Sequence, residues 1–322
     1  MALTQAQQEL IGAISAIEAR PTPFWNLFRK NRVPYMALST TIRVDEIMDH
    51  LVKAKLVPRG TVLQPIEVGG FNTVTIKPDL LNASIGFGAE DTILQQPGEL
   101  AIVNGQKMKA STYDRVLKLT TIKNAIEGSK EDMAASVFLT GKATDASGAE
   151  VVLGLAEPNT VNKEKTESWL SFFRKQVSEY KEKHKTLPDR IFVGTNIADS
   201  LAAYIESSNN PLLGVQVKLE DGQIKYELKN FPIAIETYPD TDIEADTSNS
   251  MTLFKELCLF PVYAGLSYVG TSGKPEMIRS EIVVIETKAN EETGQQKLGA
   301  TSAPFPLIVR PDLFERYAVT IK

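Results

Sequence analysis

Glycine and proline residues interrupt the segment from residue 57 to residue 105 so often that no helix of ordinary length can form there. These residues are Pro58, Gly60, Pro65, Gly69, Gly70, Pro78, Gly86, Gly88, Pro97, Gly98 and Gly105. Two short runs inside the segment alternate apolar and polar residues as β-strands do, one around Val74 and Ile76 and one around Ile85 and Phe87. We therefore predict a long two-stranded excursion. Because such a ribbon has too little apolar surface to be stable alone, it must lie on the rest of the chain or on another copy.

Helical periodicity follows the ribbon. Apolar residues recur three or four apart over residues 111–140, which predicts one long helix with Gly128 near its middle. A second helix is predicted over residues 165–185, and a third carries Ile197, Leu201, Tyr204 and Ile205. The remaining apolar runs predict strands at residues 151–153, 191–193, 224–228, 231–238, 251–262, 281–287, 306–310 and 316–321. The fold class is therefore α+β.

The first 55 residues are predicted to form a short amphipathic helix and then an irregular arm, since Pro21, Pro23 and Pro34 break any long helix. The aromatic run between these prolines is Phe24, Trp25, Asn26, Leu27, Phe28, Arg29 and Lys30. One interpretation is a single helical turn that packs in the core. The other is an aromatic anchor that docks on a neighbouring domain or subunit.

Composition excludes several classes of protein. The chain has 322 residues, 43% of them hydrophobic, and a formal charge of −5 from 35 Lys and Arg against 40 Asp and Glu. The hydrophobic fraction is too high for a disordered chain. The excess of acidic residues argues against a dedicated nucleic-acid binder. The single cysteine, Cys258, cannot form an internal disulfide and fits folding in a reducing compartment. The sequence contains no run of about 18 apolar residues, so it predicts no membrane-spanning helix.

Catalytic signatures are scarce. Of the two histidines, His50 follows acidic residues on a charged helical face, where we expect surface ion pairs rather than a metal site. His184 stands among lysines and is expected to be solvated. Cys258 lies in an apolar run and is expected to be a buried small hydrophobe rather than a nucleophile. No phosphate loop, dinucleotide fingerprint or nucleophile elbow occurs. The sequence therefore predicts no catalytic residue and no cofactor.

One acidic stretch is a weak candidate for a metal site. Asp240, Asp242, Glu244 and Asp246 alternate within residues 230–254, which contain no Lys or Arg. A calcium-binding EF-hand would need Gly at the sixth position and Glu at the twelfth, where this chain has Ala245 and Met251. Three interpretations stay open: a solvated acidic loop, a weak calcium or magnesium site, and an acidic contact to a basic partner.

Two local motifs and the order of elements resemble one protein family. The C-terminal sequence TSAPFPLIVRPDLFE, residues 301–315, is similar to the Ser-Ala-Pro, apolar strand and Pro-Asp-x-Phe ending of the lambda-type major capsid proteins of tailed bacteriophages, the major capsid protein E family. The sequence FWNLFR, residues 24–29, resembles the aromatic element of that family's N-terminal arm. Arm, ribbon, long helix, helix-and-strand region and C-terminal strands also follow in the family's order.

The resemblance implies the Hong Kong 97 capsid fold. Residues 1–55 would be its N-terminal arm, 56–108 the extended β-ribbon loop lying over a neighbouring subunit, 109–150 with 266–322 the peripheral domain with its long spine helix, and 151–265 the axial domain. Residues 270–300 do not follow the family's pattern. Some relatives cross-link a lysine of the loop to a neighbour, but Lys77 is more simply a solvated charge.

The implied function is structural. Copies would assemble as pentamers and hexamers into an icosahedral shell that encloses double-stranded DNA, without catalysis, sequence-specific DNA binding or a membrane partner. Scaffold, portal and decoration proteins are further possible partners, and the shell would form in the host bacterial cytoplasm and become the virion head. Subunit contacts are expected at Phe24, Trp25, Leu27, Phe28, Arg29, Val74, Ile76, Ile85 and Phe87.

Three other functions remain open at this stage. An encapsulin-like bacterial compartment shell would share the fold but enclose an enzyme. A tail-tube subunit would be another structural component of a phage. A metal-dependent enzyme would use the acidic stretch at residues 240–246.

Overall fold

A computed structural model of the chain describes residues 21–30, 32–46, 72–87, 100–103, 106–144, 150–152, 155–208, 216–220, 223–229, 231–241, 243, 245–269, 275–287 and 296–321. Within these residues there are four α-helices: α1 Pro23–Arg29, α2 Ala110–Thr140, α3 Trp169–His184 and α4 Thr195–Ser208. The strands are β1 Tyr35–Met36, β2 Ile42–Glu46, β3 Asn72–Ile76, β4 Leu81–Phe87, β5 Leu100–Val103, β6 Gln106–Lys109, β7 Lys142–Thr144, β8 Glu150–Val152, β9 Asn159–Lys163, β10 Arg190–Val193, β11 Gln216–Glu220, β12 Gln223–Glu227, β13 Ile235–Thr237, β14 Ser250–Phe254, β15 Leu259–Tyr263, β16 Leu266–Val269, β17 Pro275–Ile278, β18 Val283–Glu286, β19 Gln296–Ser302, β20 Pro304–Ile308 and β21 Phe314–Ile321. Short 3₁₀ turns span Glu256–Cys258 and Pro311–Leu313.

The largest sheet is mixed and has seven strands in the order β11-β12-β13-β10-β14-β21-β9. Its two faces are covered differently, because successive side chains of a strand point to opposite sides. In β10, Ile191 and Val193 lie in the core formed with α3 and α4, whereas Phe192 lies in the core that contains α1 and the second half of α2. At β10 the sheet is thus buried between two helical layers.

A second sheet, β18-β19-β4, covers the first half of α2. Leu119, Ile122 and Ile126 of the helix pack against this sheet, which contributes Val284, Leu298 and Ala300. A third sheet, β1-β15-β20, packs beside α1. The described residues also form four two-stranded pairs: β2 with β3, β5 with β6, β7 with β8, and β16 with β17.

The long helix is confirmed, and it begins one residue before the predicted start. Gly128 does not interrupt it. The second helix is confirmed from Trp169, where Ser168 caps its N-terminus by accepting the N–H of Ser171 at 3.1 Å. It ends at His184, and the capping residue Lys185 has a left-handed φ of 58°.

The strands predicted at residues 74–76 and 85–87 are present, but they do not pair with each other. Strand β3 is antiparallel to β2, and β4 is antiparallel to β19. Burial explains why β4 pairs with β19: Ile85 of β4 stands opposite Leu298 of β19, and both side chains pack against α2. An antiparallel pair therefore already begins at Ile42, before the predicted loop boundary at residue 56.

The final strand, from the predicted peripheral domain, pairs with two strands of the predicted axial domain. β21 lies between β14 and β9 in the seven-stranded sheet, so this sheet includes strands from both sides of residue 265. The helix predicted near residues 10–17 lies outside the described residues.

Candidate assembly surfaces

The aromatic segment predicted as a subunit anchor is α1, and the chain buries it in its own core. Phe24, Trp25, Leu27 and Phe28 are all buried. The ring of Phe24 lies 5.6 Å from that of Phe138 on α2, and Trp25 meets Tyr263 edge-on at 6.0 Å between centroids. Of the two interpretations, the core-packing turn describes this arrangement. A contact of the same segment with a neighbouring subunit stays a prediction.

A carboxylate from the long helix caps α1. The Oε1 atom of Glu131 accepts the backbone N–H of Phe24, and Oε2 accepts that of Trp25, each at 2.8 Å. The natural capping position, Thr22, makes no side-chain hydrogen bond of this kind. Glu131 therefore satisfies two N–H groups that the helix leaves unpaired and places a negative charge at the positive end of its dipole.

Next to this cap, a lysine is buried under aromatic rings. The side chain of Lys130 is only 2% exposed, and its Nζ lies 2.9 Å from Glu127 Oε1. The same ammonium stands 5.8 Å from the ring centre of Trp25 and 5.5 Å from that of Tyr263. Ion pairing and the two ring faces together compensate for its burial. Sequence reasoning missed Lys130 and Glu131, because alternating charges on a helix indicate a solvated face.

The C-terminal end of α1 and the residues that follow it are held by the last third of the chain. Arg29 pairs with Glu281 at 3.3 Å, and Lys30 pairs with Glu256 at 3.1 Å. Arg32 donates to the carbonyl oxygens of Glu256, Leu257 and Leu259. Arg29 is half-exposed, and its contact with a neighbouring subunit stays a prediction.

The other predicted contact residues divide into two groups. Ile76 is buried in the core that contains α1, and Ile85 is half-buried against α2. Val74 and Phe87 belong to β3 and β4, but their side chains lie outside what the structure describes. Contacts of all four with a second copy stay predictions.

An exposed apolar face that sequence reasoning did not identify lies on the hairpin of β11 and β12. Val217 and Leu219 of β11 are 60% and 77% exposed, and Ile224 of β12 is also exposed. Leu219 stands directly opposite Ile224, so these three residues share one face of the hairpin. The alternation of apolar and polar residues over 216–220 could have predicted the strand and its apolar face, but not that this face is exposed.

The acidic stretch is described only in part. Asp242 and Glu244 lie outside the described residues. Asp240 lines a cavity of about 240 Å³ with Glu131 and Asp132, among others. Asp246 accepts the backbone N–H of Ser248 at 3.2 Å. Among the residues that the structure describes, no group of three or more His, Cys, Asp or Glu side chains could hold a metal ion. The metal site stays an untested hypothesis.

The expectation that His184 is solvated is wrong. Its side chain is 7% exposed and its Nε2 lies 2.7 Å from Oε1 of Glu315, because the last turn of α3 packs on β21. Lys183 donates to the same oxygen at 2.5 Å, and Tyr317 donates to the other. Burial alone would raise the pKa of Glu315, but the hydrogen bonds from Lys183, Tyr317 and His184 outweigh it and hold that pKa below its usual value.

Cys258 is buried in the core, as predicted, and burial raises the pKa of its thiol to about 12. It is therefore protonated at neutral pH and unsuited to nucleophilic chemistry. In the described part of the chain, no helix combines the length and apolar character needed to cross a membrane.

Comparison with known proteins gives one family. The family model described as phage major capsid protein E matches residues 6–318. No curated protein matches the chain.

Solved structures of similar fold include a putative capsid protein of a prophage from E. coli CFT073, with a TM-score of 0.56 and 14% identity over 98% of this chain and 99% of that one. The capsid of cyanophage P-SCSP1u matches with a TM-score of 0.54 and 12% identity over 95% of this chain and 90% of that one. The SrpI encapsulin of Synechococcus elongatus PCC 7942 matches with a TM-score of 0.50 and 11% identity over 99% of this chain and 96% of that one. At such identities these likenesses show the fold alone, and they confirm the predicted α+β fold of the Hong Kong 97 type.

Proposed function

The chain belongs to the phage major capsid protein E family and is a structural phage capsid protein, and from that premise we propose that its copies assemble by non-covalent contacts into a closed icosahedral shell around a double-stranded DNA genome. The observation that carries the proposal is the family match over residues 6–318, nearly the whole chain. The shell would act by shape and burial, without catalysis.

The architecture supports assembly by many copies. Two-stranded sheets are marginally stable by themselves, and the described residues include four of them. Large apolar side chains are also exposed at separate places on the surface, among them Val33 before β1, Leu80 before β4, Leu219 on β11 and Ile285 on β18. Contacts between copies in a shell would cover such elements.

Within each copy we propose the division into arm, extended loop, peripheral domain and axial domain given above. The arm to residue 55 and the loop over residues 56–108 would reach neighbouring subunits, and the axial domain over residues 151–265 would meet its copies in pentamers and hexamers. The course of β21 supports one refinement: the peripheral and axial domains share the seven-stranded sheet, so they would move as one body.

The charge of the chain supports a container that does not grip its contents. A strongly basic inner wall would bind phosphates without sequence preference and would resist the movement of DNA during packaging. A net charge of −5 gives little such attraction. Scaffold, portal and decoration proteins would be partners of the shell, which would form in the cytoplasm of the host bacterium and become the virion head.

Electron microscopy and light scattering of the purified protein test the proposal, with and without co-expressed scaffold. Closed particles are the expected result, and particles isolated from lysates of phage-producing cells should protect DNA from nuclease. Particles that hold a protein cargo and no DNA would favour the compartment shell instead, and tubes would favour a tail component. A protein that remains monomeric at every concentration and salt tested, with scaffold present, would contradict the proposal.

A further inference from the structure

The hairpin of β11 and β12 has two faces of opposite character. Residues that stand opposite each other in an antiparallel pair share a face, so Val217 with Tyr226 and Leu219 with Ile224 form one face that carries no charge. Lys218 stands opposite Lys225 on the other face. Lys218 pairs with Glu227 at 2.9 Å there, and both side chains are partly exposed.

The part of the chain that the structure describes covers one end of the apolar face and leaves the other exposed. Tyr226 is buried in the core that α3 and α4 form with the seven-stranded sheet. Two strands further out, Val217 and Leu219 are largely exposed, and Ile224 is exposed beside them. The core face of the sheet therefore continues past its helical cover, as a strip of β-branched and aliphatic side chains.

The strip lies at an edge of the sheet, since among the described strands β11 pairs with β12 alone. Proteins that keep such an edge free in solution commonly protect it with several charges, a proline or a bulge. In β11, charged Lys218 and Glu220 alternate with apolar Val217 and Leu219, so the apolar pair shares the face of the strand that carries no charge. An edge of this kind is suited to contact with another chain.

We propose that this face, formed by Val217, Leu219 and Ile224, is a contact between two copies of the chain in the assembled shell. The inference rests on the proposed function, because assembly brings copies of this chain together at high local concentration. Stable pairs of proteins bury about 1,200–2,000 Å² in total. Three side chains supply only part of such an area. This contact therefore holds two copies together only alongside other contacts, and it does not by itself make the unassembled chain dimerise.

A cysteine-labelling experiment tests the assignment. Leu219→Cys places a thiol on the apolar face, and Lys218→Cys places one on the opposite face of the same strand as the matched control. The native Cys258 is buried and contributes little background. The rate of maleimide labelling is measured on unassembled chains and on purified particles, and the unfolding temperature of each variant is compared with that of the wild type.

The expected result is at least tenfold slower labelling of the Leu219→Cys chain in particles than in free chains, with less than a twofold change for Lys218→Cys. A Leu219→Cys chain that unfolds at the wild-type temperature yet no longer assembles, beside an assembling Lys218→Cys chain, also supports the contact.

Three results overturn the assignment while the proposed function stands. They are equal labelling of Leu219→Cys in both states, equal protection of the two variants in particles, and protection of Leu219→Cys already in the free chain, which would mean that the chain covers the face itself. Wild-type protein that forms no particles would instead overturn the proposed function, and this contact with it.

Discussion

The ring of Phe138, in the second half of α2, packs edge-on against the ring of Phe314 at the start of β21, with centroids 5.0 Å apart and planes at 87°. Four more rings have centroids within 6.5 Å of that of Phe138: Phe24, Phe192, Tyr238 and Phe254. One side chain of α2 thus contacts the N-terminal segment, the centre of the seven-stranded sheet and the last strand. Edge-to-face pairs of this kind stabilise a core beyond the area that they bury.

Replacing Phe138 with alanine should therefore be among the most damaging single changes in the chain. We expect Phe138→Ala to lower the free energy of unfolding by about 3–5 kcal/mol, because it removes a buried ring and leaves a cavity among five aromatic neighbours. Leu117→Ala, at an exposed position of the same helix, is the control and should change it by less than about 0.5 kcal/mol. Urea unfolding of the unassembled chain measures both, and similar losses in the two variants would contradict the role of Phe138.

The cap that Glu131 provides for α1 predicts a local loss of stability. Glu131→Gln keeps the shape of the side chain, but its amide can accept only one of the two backbone N–H groups. We expect a loss of about 1–2 kcal/mol and faster hydrogen exchange at the amides of Phe24 and Trp25. Asp132→Asn, at the next and exposed position, should leave both quantities unchanged. Unchanged exchange at Phe24 and Trp25 in Glu131→Gln would show that the cap does not hold the segment.

Two glycines of the same region predict opposite responses to alanine. A Cβ atom added at Gly128 would meet no atom within 4 Å, so Gly128→Ala should stabilise the helix by about 0.5–1 kcal/mol. Gly141 follows the helix with φ of 75°, and a Cβ there would lie 2.9 Å from Cδ1 of Leu155. Gly141→Ala should therefore destabilise the chain. Thermal unfolding of the two variants in parallel checks the pair, and a loss of stability in Gly128→Ala would contradict the open environment at that position.

How far the sequence could predict this fold depends on the range of the interaction. The stripe of Trp169, Phe172, Phe173, Val177 and Tyr180 predicted α3 and its buried face correctly, because helical periodicity is a local property. The aromatic turn at Phe24 was likewise predicted, and the structure places it in the core. These features depend on residues three or four apart in one segment.

Strand partners could not be predicted in the same way. The alternation around Ile85 indicates that one face of β4 is buried, but it does not identify β19 as the neighbouring strand. β19 itself was missed because residues such as Gly299, Ala300 and Ser302 have little β-propensity. The structure explains Gly299, since a Cβ there would lie 3.1 Å from that of Ser84 on the paired strand.

Within the candidate surfaces, the residues that sequence reasoning missed are those whose meaning depends on a distant partner. Lys130 is an ordinary helix-surface lysine until Trp25 and Tyr263 cover it. Leu219 was missed for the opposite reason: its alternating pattern predicts a buried face, and the described part of the chain leaves that face exposed.

The cluster around Glu315 predicts how stability depends on pH. Because its pKa is lower in the folded chain than in the unfolded one, Glu315 contributes stability above the unfolded value of about 4.3, and this contribution is lost as the pH falls through the folded value. We expect Glu315→Gln to be less stable than the wild type by about 1–3 kcal/mol at pH 7, since Lys183 and His184 lose their buried anionic partner. The two unfolding free energies should converge as the pH falls below about 4.3 and through the folded value. Glu182→Gln, an exposed position on the same helix, should follow the wild-type curve. Urea unfolding from pH 7 to pH 3 measures all three chains, and a difference between wild type and Glu315→Gln that stays constant over this range would refute the linkage, because a carboxylate that never takes up a proton cannot make stability depend on pH.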